Sequence, residues 1–173
     1  MSVLALAWGC DGPAAEPADA GPPQFIAIER DFADFRSWER IPIDATALPT
    51  GMSGASAAIY VWRRAPEDAT RWPVGSMFVK AIEEGPPSEW ILHAMAKRGI
   101  PFNGSGTLGW EFFELSIDGA DVPRILWRGE GPMSGHGYGA MQPDGGVIEL
   151  VCNDCHAPAW QDDGVLTPQL SLN

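Results

Sequence analysis

A chain of 173 residues with 45% hydrophobic content can bury one sizeable core, so a single domain is the default. Eleven basic residues stand against twenty-three acidic ones, a net charge of -12, which argues against a nucleic-acid or anionic-membrane surface because both need basic patches. Lysine occurs only as Lys80 and Lys97, so a lysine inside the body of the domain has to be accounted for.

At the N-terminus, Ser2 to Trp8 is short, apolar and uncharged. It leads into Ala7-Trp8-Gly9-Cys10, the small-residue approach to cysteine of a bacterial lipoprotein processing site. No positive segment precedes it, so the expectation is a true start further upstream and a lipid on Cys10, each buried acyl methylene adding roughly 0.8 kcal/mol of membrane affinity. The alternative is an ordinary start with a free thiol. Asp11 to Gln24 is Pro, Ala, Gly and acidic residues without apolar period, a disordered tether. Residues 1–24 are therefore expected to be signal remnant and tether, and 25–173 the domain. No later apolar run approaches the roughly eighteen residues of a spanning helix, which leaves the lipid as the membrane contact.

Phe32, Phe35 and Trp38 fall at helical spacing and predict a short amphipathic helix whose aromatics face the core. Ile41-Pro42-Ile43 and the Gly/Ser/Ala-rich stretch to Ser56 read mostly as loop. Ala57 to Trp62 is β-branched and aromatic, a strand. After the turn residues Arg71 to Gly75, Ser76 to Ile82 alternates as a second strand: Met77, Val79 and Ala81 share one face, Phe78, Lys80 and Ile82 the other. Lys80 thus leaves the sheet beside two large apolar residues, either lodged in an apolar site or running its stem along the surface. Trp90 to Lys97 fits helix or strand. Trp110 to Ile117 and Arg124 to Arg128 are strands, Gly129 to Gly146 is a glycine-rich loop, and Val147 to Val151 is a last strand. Many short strands and few helices predict a mainly β (α+β) domain with an antiparallel sheet.

Three patterns are set aside. Gly104-Ser-Gly-Thr-Leu-Gly109 has the spacing G-x-G-x-x-G but precedes a strand, which is the wrong context for a dinucleotide site. The overlapping glycosylation sequon Asn103-Gly104-Ser105 is without meaning in a bacterial lipoprotein. Ser134 and His136, imaginable as nucleophile and base, lack a third, orienting group.

The most specific stretch is Cys152-Asn153-Asp154-Cys155-His156. C-x-x-C-H is the attachment motif of c-type haem: two thiols bond to the vinyl groups of the macrocycle and the adjacent imidazole ligates the iron. Half of a zinc site and a redox dithiol are the alternatives. Zinc lacks a second ligand pair at the usual spacing, and the dithiol lacks a βαβ context. Attachment of c-type haem takes place outside the bacterial cytoplasm, in agreement with an exported chain, periplasmic or anchored at the outer membrane.

With this motif near its end and strands ahead of it, the chain resembles the cytochrome P-460 and cytochrome c′-beta family. Four pieces carry the resemblance: Phe35-Arg36-Ser37-Trp38 is similar to the family's N-terminal helix, Trp72 to Lys80 to its lysine-ending strand, Gly109 to Leu115 to its aromatic strand, and Cys152 to His156 to its attachment site. Pro73-Val74, where the turn usually has an acidic residue, and the glycine-rich insertion before the motif depart from the pattern. The resemblance implies a haem c with a five-coordinate iron, held on an antiparallel sheet by Cys152, Cys155 and the proximal ligand His156, with an open distal pocket. P-460 members join a lysine covalently to the macrocycle and oxidise hydroxylamine, whereas c′-beta members lack that bond and bind nitric oxide or carbon monoxide. The lysine carries over to Lys80, with Lys97 as runner-up. Glu111 or Glu114 would be a distal proton relay, unless both sit on a solvated strand face. An enzyme or gas binder keeps the sixth iron position open, while an electron carrier fills it, for which His93, His136, Met95, Met133 and Met141 are available. A small nitrogen ligand and a redox partner protein are the expected partners, and a homodimer is left open.

Overall fold

The computed structural model describes residues 23–44, 56–133, 137–142 and 144–172. The expectations for Cys10 and the tether up to residue 22, and for Ser134 and His136, lie outside the described residues. Six antiparallel strands form one sheet in sequential order: β1 (Glu39–Ile43), β2 (Ser56–Val61), β3 (Met77–Glu83), β4 (Ile91–Lys97), β5 (Trp110–Ile117) and β6 (Pro123–Gly129). The mainly β, antiparallel architecture with few short helices is the one expected.

Strand alternation divides the side chains between two faces. Met77, Val79 and Ala81 of β3, with Leu92, Ala94 and Phe113 of its neighbours, join the first core cluster. The chain from Phe25 to Trp38 covers it, with Phe32 and Phe35 fully buried. Within it, Asp31 to Trp38 was expected to be one short helix. The chain there makes instead two single 3-10 turns, Glu29–Phe32 and Phe35–Ser37, which still bring the three aromatics onto the sheet. Phe32 meets Phe113 edge-on at 5.3 Å and Phe35 meets Tyr60 at 5.2 Å. The second face gathers Phe78, Met95, Trp110 and Phe112, capped by Val165 and Leu170 from the C-terminal segment.

Three elements differ from expectation. Ile41-Pro42-Ile43 belongs to the edge strand β1 instead of a loop, since proline's missing amide is tolerated at a sheet edge. Val147–Leu150 is a strand, β8, but pairs with β7 (Tyr138–Met141) in a separate hairpin rather than with the main sheet. The glycine-rich loop therefore contains a strand. The ambiguous stretch after Trp90 is β4. At the other edge, Glu29 accepts the Ile125 amide of β6 at 3.2 Å and a guanidinium hydrogen of Arg124 at 3.1 Å. After β8 the short helix α1 (Cys152–His156) carries the C-x-x-C-H motif and runs into a 3-10 segment, Ala157–Asp162. No helix among the described residues is long and apolar enough to cross a membrane.

Candidate functional site

The second face of the sheet does not close completely. A pocket of about 650 Å³ lies between it, the β7–β8 hairpin, α1 and the segment around Leu170. Its volume is that of a site for a sizeable organic group. Cys152, Cys155 and His156 line it from one side; Lys80 and His93 from the sheet; Phe78, Met95 and Phe112 supply much of its apolar wall.

Sheet register explains how the polar pair arrives. Ile59, Lys80, His93, Glu114 and Trp127 stand directly opposite one another across β2 to β6. Directly opposed residues leave the same face. Lys80 thus occupies the face predicted for it. Burial lowers its ammonium to about 8, opposed by the charges of Cys152 and Cys155. His93 is lowered to about 4, first by burial and then by the charge of Lys80, so it is a neutral imidazole at pH 7. Desolvation raises the Cys152 thiol to about 11 even though Lys80 pulls it down.

His156 sits in the last turn of α1, its ring 5.1 Å from that of Phe112. Nδ1 donates to the carbonyl of Gly164 at 2.6 Å, which fixes the ring and leaves Nε2 as the nitrogen available for ligation. Burial lowers its pKa, and Lys80 adds to that; the Gly164 bond works in the opposite sense. A neutral imidazole is the form that binds iron.

The acidic candidates separate. Glu114 stands in the register row beside His93, without lining the pocket itself. Glu111 leaves the opposite face of β5, is 2% exposed, and is gripped by Arg128 through two bonds of 2.7 Å and by Arg98 at 3.4 Å. Its place in a distal relay is therefore corrected: it is an anchor of the closed core. Lys97 does reach the pocket side of the sheet, but its Nζ donates to Asp163 Oδ1 at 2.7 Å and the Leu108 carbonyl at 2.9 Å, and it stacks over Trp110. Lys97 is thereby committed away from the pocket, and Lys80 is the lysine beside the two thiols. Of the sixth-ligand candidates, His93 and Met95 line the pocket, whereas Met133 is exposed.

Three residues that the sequence did not single out complete the site. Asp163, itself in the left-handed region at φ 53°, accepts Lys97 and the Trp72 amide, the latter at 2.9 Å. Gly164, at φ 82°, supplies the carbonyl for His156. Asn153, between the two cysteines, fastens α1 to the turn before β5. The run Asp163-Gly164 signals a turn, but its partners lie 8 to 91 positions away. Among the described residues, no three His, Cys, Asp or Glu side chains converge to hold a metal ion between them, so the zinc alternative finds no ligand set there. No protein-family model, curated protein or solved structure matches the chain.

Proposed function

We propose that this is an exported c-type monohaem protein that binds or oxidises small nitrogen species, such as nitric oxide or hydroxylamine, at an open haem site. The observation that carries the reading is convergence: both thiols and the imidazole of C-x-x-C-H line one largely apolar pocket, together with Lys80 and His93. The residues fit the group. Cys152 and Cys155 would hold the macrocycle by thioethers, His156 would ligate the iron through Nε2, and Phe78, Met95 and Phe112 would pack its apolar surface. The dithiol alternative is weaker, because a buried thiol raised to about 11 is a poor nucleophile.

When bound, haem supplies an iron that takes small ligands and passes electrons to a redox partner protein. The chain's own part is to orient and to exclude water. Gly164 holds the His156 ring, the apolar walls would shield the bound group from water, and Lys80 and His93 face the space a small ligand would enter. At a pKa of about 8, roughly a tenth of Lys80 is neutral amine at pH 7, the form able to bond covalently to the macrocycle as in P-460 proteins. The haem reading and the sequence around Cys10 both support export, to the periplasm or the outer membrane.

A second reading, an electron-transfer cytochrome with a six-coordinate iron, draws on His93 and Met95 in the pocket lining. Haem staining after denaturing electrophoresis of periplasmically matured protein should be positive and vanish in Cys152→Ala/Cys155→Ala; bound zinc without a Soret band would end the haem reading. A high-spin ferric spectrum that shifts with nitric oxide or hydroxylamine favours the open site, and a low-spin spectrum the carrier. A red-shifted ferrous Soret band that returns to an ordinary c-type position in Lys80→Ala identifies the lysine bond.

A further inference from the structure

Two sequence patterns take no part in the pocket: the glycine run Gly104 to Gly109 and the sequon at Asn103. Both lie in the turn between β4 and β5, and that turn is built against the attachment segment. Asn103 is 1% exposed, with φ 51°, and forms a reciprocal amide pair with Asn153, each Nδ2 donating to the other's Oδ1 at 3.1 Å. Asn153 Oδ1 also accepts the Thr107 amide at 2.9 Å and the Thr107 hydroxyl at 2.8 Å, while its Nδ2 donates to the Glu130 carbonyl at 2.9 Å. Both amide hydrogens and the oxygen are thus committed.

Gly106 is glycine because of this approach: a Cβ there would collide with the Asn153 amide. At the far end of the segment, Thr107 Cγ2 fills the space a side chain on Gly164 would need. Gly164 is the residue whose carbonyl takes the His156 Nδ1 hydrogen. Lys97 closes the circuit by bonding both the Leu108 carbonyl and Asp163.

We propose that the turn 103–109 is the positioning device of the attachment segment, with Asn153 and Thr107 as its positioning residues. It holds α1 from beside the first cysteine and the His156 imidazole from beside Gly164. This rests on the reading of the pocket as a c-type haem site, and gives the turn a part in that site without contact with the cofactor. A five-residue helix cannot maintain its own shape, because nucleation costs more than so few bonds return. One turn gripping both of its ends supplies the missing rigidity, and a shift at Asn153 is passed through Thr107 to the histidine.

Amide hydrogen exchange on the full chain tests this. Asn153→Leu and Gly106→Ala should each speed exchange at Asp154 to Ala157 by about tenfold, with amides of β3 and β4 unchanged. Thr107→Val should give roughly a fivefold rise, and Thr107→Ser, which keeps the hydroxyl, should restore wild-type exchange. In haem-loaded protein the iron–histidine stretching vibration should shift in Thr107→Val, which cuts the hydroxyl bond to Asn153, and also in Thr107→Ser, which removes the methyl beside Gly164. Exchange at 154–157 that stays constant, or that rises equally across the sheet, overturns the proposal. A local exchange effect in a chain that takes up no haem supports the positioning and removes the cofactor reading. Haem uptake with no local effect does the reverse.

Discussion

The two faces of the sheet are made from alternate residues of the same strands, yet they treat charge and space in opposite ways. On the closed face, Phe32, Phe35 and Trp38 pack over the sheet, with Phe32 against Phe113 and Phe35 against Tyr60, and the buried carboxylate of Glu111 is neutralised by Arg128 and Arg98. On the open face the strands border a 650 Å³ pocket, and burial is the main influence on Lys80 and His93, lowering both. Both faces carry a buried apolar cluster, and the open face adds a pocket. The one buried carboxylate described on the closed face, Glu111, is matched by two arginines. On the open face, burial holds Lys80 at about 8 and keeps His93 neutral at pH 7.

The largest test of this difference is a pair of truncations. Phe32→Ala, on the closed face, should cost about 3–5 kcal/mol in chemical denaturation, while Phe112→Ala, beside the pocket, should cost about 2 kcal/mol. Equal costs would mean that the two faces are packed alike. Next is acid. His93 has its folded value near 4, against 6.5 for the free imidazole. Between these values the unfolded chain binds a proton that the fold refuses, so stability is intact above about 6.5 and falls by up to about 3 kcal/mol as pH drops to 4. His156, also lowered, acts in the same direction. Denaturation curves at pH 7, 5.5 and 4 should show His93→Gln losing distinctly less than wild type; parallel losses would clear His93 of the effect. The smallest concerns Glu111→Gln. Its arginine partners keep 30% and 27% of their side chains in water, so the loss should be near 2 kcal/mol. Breaking the exposed Arg124–Glu29 pair by Glu29→Gln should cost distinctly less than Glu111→Gln. A reversal of that order would show Glu111 to be less committed than its geometry indicates.

Much of this could be read from the residues. β2, β3, β5 and β6 announce themselves by β-branched and aromatic runs, and the face of Lys80 follows from counting by twos from Phe78. Cys152 to His156 is legible because its chemistry lies in a local spacing. β1 was hidden by Pro42, which speaks against a strand except at an edge, and edges are a property of the assembled sheet. β7 was hidden by its glycine surroundings. Glu111 was misplaced because β5 is apolar on both faces, Phe112 and Phe113 alike, so no polar alternation marks which side faces the pocket. His93 and Met95 were candidates by residue type, and only the pairing of β4 with β3 puts them opposite Lys80 and Phe78. Asn153 acts through Asn103 and Thr107, 50 and 46 positions away, where local pattern carries no information.

Pro42 and Glu29 also bear on how the protein behaves when crowded. The outer strand of a sheet displays a ladder of amides and carbonyls onto which another strand can dock, the route by which sheets grow into fibrils. Pro42 interrupts that ladder on β1, and the Glu29 carboxylate occupies the Ile125 rung on β6, where the register shift between Glu114 and Leu115 adds local twist. Both ends of the sheet are thus poor templates for strand addition. The six-stranded sheet carries its own resistance to cross-β growth at both ends.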